Sequence, residues 1–208
     1  MENKSLSFKI ALAVIGTLCL AISINFIIGI DWGMSTFDTA CYTTMQFFNV
    51  PKFGDAVLIT HSFFLVLLVL FMKKLQSSWK HILIAVISIL VVSRVINFFG
   101  FIIDIEYANN VVMFIVFLLS VVTVNLGIYL MATSSLVATP YDRFVIQLSA
   151  ATNRDLGNAR LIVDVVVFLI ALAVIFIFKL DVPLSIATLF IVLISGPIIT
   201  FWGKVLKF

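Results

Sequence analysis

Phe53-Gly54-Asp55-Ala56-Val57-Leu58-Ile59 returns 103 residues later as Leu156-Gly157-Asn158-Ala159-Arg160-Leu161-Ile162. Upstream, Ser35-Thr36-Phe37-Asp38 is matched by Thr139-Pro140-Tyr141-Asp142 at an offset of 104. Downstream, Ile96-Asn97-Phe98-Phe99-Gly100 is matched by Ile199-Thr200-Phe201-Trp202-Gly203, again at 103. Three blocks repeated in one order divide the 208 residues into two copies of one unit, residues 1–104 and 105–208.

Hydropathy says what the unit is. The chain is 63% hydrophobic and 11% charged, with a mean hydropathy of +1.25, too little charge to cover the surface of a soluble domain. A helix needs roughly 20 apolar residues to cross a bilayer. Six stretches qualify: Ile10–Ile30, Ala56–Met72, Ile82–Ile103, Val111–Thr133, Leu161–Phe178 and Leu184–Gly203. The first is too long for the apolar core of a signal peptide and is kept as a span. Each half therefore holds three spans. With an odd number, the second copy must enter the membrane from the opposite side. The expected fold is an all-α membrane protein of six transmembrane helices in two inverted-topology repeats, an arrangement found in many secondary transporters.

The basic residues orient it. With the N-terminus in the cytoplasm, Lys4, Lys9, Lys73, Lys74, Lys80, Arg143, Arg154, Arg160, Lys204 and Lys207 fall inside. Only Lys52 and Lys179 fall outside, with Asp31, Asp38, Asp55, Asp104, Glu106 and Asp181. The expectation is a plasma-membrane, multi-pass protein with both termini cytoplasmic.

The two long connections, Asp31–Asp55 and Ser134–Arg160, each open on a helix-start signal. Each is read as a short helix, interfacial or re-entrant. With Ser35 and Thr139 as N-caps, Asp38 and Asp142 occupy the third helical position, where a carboxylate favours the positive end of the helix dipole. Pro140 fits the first position. Capping explains these residues fully. The alternative is that both helix starts dip toward the midplane and line a solute path.

These motifs give the chain a family likeness. Gly33-Met34-Ser35-Thr36-Phe37-Asp38, Thr139-Pro140-Tyr141-Asp142-Arg143 and Ser195-Gly196-Pro197-Ile198 resemble the YczE/YyaS/YitT group of bacterial integral membrane proteins. The chain is nearer the YczE-like members, since no soluble C-terminal domain follows the last span. The resemblance implies a bacterial plasma-membrane protein and names no substrate.

Three ionisable residues lie within spans: His61, Arg94 and Asp164. Such residues are costly in a bilayer, so they face the bundle interior and take partners. His61 and Asp164 are repeat counterparts, which inversion places toward opposite membrane faces. Arg94 and Asp164 form either a structural ion pair, or an anion-attracting group beside one that titrates or holds a coupling ion. Asn25, Asn97, Thr123 and Asn125 suit interhelical hydrogen bonds. Gly196-Pro197 marks a kink that either lines a cavity or serves packing. Cys19 and Cys41 are expected to be free thiols.

No enzyme motif is found and no metal-ligand set or cofactor is implied. Tyr141-Asp142 and Gly54-Asp55 stand in the wrong order for an intramembrane aspartyl protease and start helices on opposite faces. The basic residues follow the membrane rim, so nucleic acid has no support. The expected function is a small-solute permease working by alternating access. Its pathway would hold Asp38, His61, Arg94, Asp142 and Asp164, with Asn97 behind them. Its partners would be the bilayer, an unidentified solute or ion, and a second copy should one unit be too small alone. Two alternatives stand beside it: a membrane protein that assists or regulates another complex, and a small channel.

Overall fold

A computed structural model of the chain describes residues 5–71, 73–74, 78–103, 109–154, 156–182 and 184–206. The boundary between the halves at residues 104 and 105 lies outside these, as do Lys4, Asp104, Glu106 and Lys207. The described residues form eight helices and no strand: α1 (Leu6–Ile30), α2 (Thr36–Phe47), α3 (Phe53–Leu70), α4 (Trp79–Ile102), α5 (Asn110–Ser134), α6 (Pro140–Thr152), α7 (Leu156–Phe178) and α8 (Ile186–Leu206). Six of them, all but α2 and α6, are long and apolar enough to cross a membrane. With 12 and 13 residues, α2 and α6 reach only about 20 Å, short of a bilayer core.

Most long helices begin a few residues before the apolar runs, because local polar groups start them. Ser5 Oγ accepts from Phe8 N at 3.3 Å ahead of α1. Asn109 Oδ1 accepts from Val111 N at 2.8 Å ahead of α5. The helix ends use left-handed residues, Asp31 after α1, Ser135 after α5 and Asn153 after α6, whose amides return to the last turn.

The helices sort into two compact units. The first holds α1, α5, α8 and the end of α4 from Val95 on. Its centre is the packing of α1 on α5. A Cβ placed on Gly16 would lie 2.9 Å from Gly127 O, and one on Gly127 would lie 2.7 Å from Gly16 O. The two backbones touch, which only glycine at both positions allows. Two amides tie the periphery. Asn25 Nδ2 donates to Ala21 O on its own helix and to Ile96 O on α4, at 2.8 and 3.0 Å. Asn125 Nδ2 donates to Val121 O at 2.7 Å and reaches Ser195 Oγ on α8 at 3.5 Å. The turn after α1 is held by the start of α8. Met34 N donates to Thr188 Oγ1 at 3.4 Å, and Ser185 Oγ donates to Trp32 O. Gly33 between them has φ +141°, with the α8 backbone where a side chain would be.

Pro197 lies inside α8, which runs on to Leu206. Among the described residues nothing lies within 4 Å of where a Cβ on Gly196 would sit. Gly196 therefore makes no close helix contact in its unit.

The second unit holds α2, α3, α6, α7 and α4 as far as Arg94. Here each short helix, α2 and α6, packs on both long helices α3 and α7. Its core joins Phe64, Tyr141, Val145, Ala159 and Val163, with Phe37 and Phe144 against it.

Candidate functional site

The polar residues of the second unit gather where the N-termini of α2 and α6 meet. The Phe37 and Tyr141 rings, each on the second residue of its helix, stand 4.6 Å apart centre to centre. Phe37 also stacks on His61 at 4.5 Å, and Tyr141 meets Phe64 edge-on at 5.0 Å. Aromatic contact thus fixes two helix starts against each other, each carrying the positive end of a dipole.

Both starts bond to the long helix of the other sequence half. Thr36 Oγ1 donates to Asp164 Oδ1 on α7 at 2.9 Å. Tyr141 N donates to His61 Nδ1 on α3 at 3.4 Å. The Tyr141 phenol also donates to Asp164 Oδ1, so one carboxylate oxygen serves both short helices. Burial, reinforced by the Asp164 charge, pushes the phenol well above its ordinary value. It keeps its proton and remains a donor.

Arg160 closes the cluster. Its Nη1 lies 3.3 Å from Asp142 Oδ1 and its Nε 3.7 Å from Asp164 Oδ2, one helical turn along α7. Its guanidinium stands 5.6 Å from the centre of the Tyr141 ring, within cation–π range. Side-chain exposures of 21%, 17% and 19% for Arg160, Asp142 and Asp164 put the pairs largely out of solvent. Asp142 has a further bond: Thr139 Oγ1 donates to its Oδ2 at 2.8 Å and accepts from its amide at 3.3 Å. Thr139 is the N-cap of α6 with Pro140 behind it. Capping and ion pairing therefore coexist on one aspartate. Arg143, next in sequence, is half-buried, and its Nε is buried without a hydrogen-bond partner among the described residues.

Of the residues singled out in the sequence, Asp142, His61 and Asp164 come together here. Asp38 is buried in the first turn of α2, in the same unit, and Ser35 immediately precedes that helix. Asn97, Gly196 and Pro197 belong to the first unit, where Asn97 is half-buried.

Arg94 requires a correction. It does not pair with Asp164 and is not buried: its side chain is 69% exposed and lies 3.5 Å from Asp55 Oδ1, at the start of α3. Hydropathy gives depth along a helix and nothing about azimuth, and Arg94 is on the outward face of α4. The partner of Asp164 is Arg160, which reads in sequence as a rim charge. Its i,i+4 spacing from Asp164 was the available signal. Tyr141 and Thr36 carry no charge and stand out only once the helices are packed. Among the described residues no cluster of three metal-ligating side chains occurs.

The profile of DUF6198, a family of unknown function, matches residues 7–204. No curated protein and no solved structure matches the chain.

Proposed function

The chain belongs to the DUF6198 family, and from its polar cluster we propose that it is a small-solute permease of the bacterial plasma membrane. In this reading the two sequence halves are inverted repeats, and α2 and α6 are half-helices whose N-termini meet within the bilayer. The YczE-like resemblance is compatible with it. The observation that carries the reading is the convergence of both short-helix starts on Asp164, with Arg160 between it and Asp142. Ionisable groups inside a membrane bundle mark transport paths more often than not. Discontinuous helices with their N-termini at the bilayer interior are how carriers present polar atoms to a solute.

The roles follow from the chemistry. Asp164 and His61 each contact both short helices. Protonating Asp164 would weaken its hold on Arg160 and on the two donors, Thr36 and Tyr141, that share its Oδ1. A change of charge at one atom would thus reach two helices at once. Arg143 Nε, buried without a partner, supplies a donor that a polar solute can engage. Arg94, exposed and paired with Asp55, has no part in the path.

One observation favours a second reading. Asp142, Arg160 and Asp164 satisfy one another, as they would in a pin that only holds helices in a membrane protein serving another complex. Uptake into proteoliposomes across a panel of small solutes, with and without a proton gradient, separates the two. A permease moves a solute and loses at least tenfold in rate with Asp164→Asn while Arg94→Gln keeps the wild-type rate. No uptake of any solute, or full uptake by Asp164→Asn in a folded protein, supports the pin.

A further inference from the structure

The second unit also carries a half-open groove of about 390 Å³ between α2, α3 and α7. Its walls are phenylalanine and aliphatic side chains, among them Phe47, Phe63, Leu67, Ile170 and Phe178. The threonine hydroxyls that reach it are already used. Thr43 and Thr44 donate to carbonyls one turn back at 2.8 Å, and Thr44 and Thr60 share a bond of 2.9 Å. The groove therefore offers an apolar surface and no unpaired donor, which suits a hydrocarbon chain and excludes a polar solute.

One end of the groove has a distinct character. Phe47 and Phe178 meet edge-on at 4.8 Å, and Phe48 packs on Phe47 at 5.0 Å. Lys179 directly follows Phe178 and leaves α7 in a left-handed conformation. Lys52 caps α3, four residues after Phe48. Both lysines are exposed. They are also the two basic residues that depart from the charge bias orienting the chain. At this end Asp55 is held by Arg94. Lys52, Arg94 and Lys179 stand against Asp55 and Asp181, leaving one positive charge.

We propose that this groove is a binding site for an anionic phospholipid of the bilayer, with an acyl chain along α2 and α7 and the phosphate against Lys52 and Lys179. Basic groups at the mouth of an apolar crevice between membrane helices are how anionic headgroups are selected over zwitterionic ones. The inference rests on the membrane reading of the six helices and is independent of transport.

The test uses the full chain reconstituted in bilayers of equal parts phosphatidylglycerol and phosphatidylcholine, with co-purifying lipids counted by native mass spectrometry. Wild-type protein retains phosphatidylglycerol in preference. The Lys52→Gln/Lys179→Gln double variant, altered only at exposed positions, lowers that preference by about fivefold for each lysine. Ala171→Phe, which fills the groove and keeps both lysines, loses retained lipid of both kinds. Equal retention of the two lipids by wild type, or an unchanged preference in the double variant, overturns the proposal. So does a dimer without lipid preference that Ala171→Phe dissociates, which would assign the groove to a second copy of the chain.

Discussion

The two units solve the same problem, holding helices together in an apolar setting, by opposite means. In the first, α1 and α5 touch backbone to backbone at Gly16 and Gly127, and the other ties described are single uncharged amides and hydroxyls. In the second, short helices are joined through a carboxylate–guanidinium–carboxylate line and a buried phenol. Lipid tails are as apolar as leucine, so burial alone does not drive helices together in a membrane. What remains is close packing or hydrogen bonding. The first unit is built on one and the second on the other. Packing of the first kind has one geometry. A charged network can be rearranged by a proton or a solute.

Removing charge should therefore cost most. Arg160→Gln leaves two carboxylates without their shared cation, and breaking such a largely buried pair costs about 3–5 kcal/mol. Thermal unfolding in detergent should show this as the largest loss of the set, partly restored by adding Asp142→Asn. If the double variant is no more stable than the single, the line is not acting as one network. The packing arm comes next. Gly16→Ala forces a methyl group into the α5 backbone, and overpacking of this kind costs about 1–3 kcal/mol. Gly196→Ala, facing open space, should stay within about 0.5 kcal/mol of wild type in the same assay. Equal effects at the two glycines would remove the case for a close α1–α5 crossing. Arg94→Gln belongs at the same small end of the scale. An exposed pair such as Arg94–Asp55 contributes about 0–1 kcal/mol, so the melting curve should barely move.

The same contrast explains what the sequence made legible. Span number and helix type follow from apolar runs whose length is set by bilayer thickness. The short helices follow from capping chemistry, which is local: Thr139, Pro140 and Asp142 sit where their spacing requires. Asp142, Asp164 and His61 were visible because ionisable groups in an apolar chain are conspicuous. Arg160 was not, because a basic residue near a helix end also serves topology, and one dimension does not tell the two apart. Arg94 was misread for the complementary reason.

A better signal was present in the repeat. Phe37 is matched by Tyr141, Val57 by Arg160 and His61 by Asp164. At these three matched positions the later block supplies the phenol, the cation and the acid of the cluster.

The turn at Gly33 has a consequence for how the chain is made. Trp32 and Met34 lie near the start of the polypeptide, and the groups that hold them, Ser185 and Thr188, lie about 150 residues later. By then a ribosome has produced every other helix. The end of α1 cannot be locked as it emerges. It waits for α8, and until α8 is made the turn at Gly33 lacks the groups that hold it.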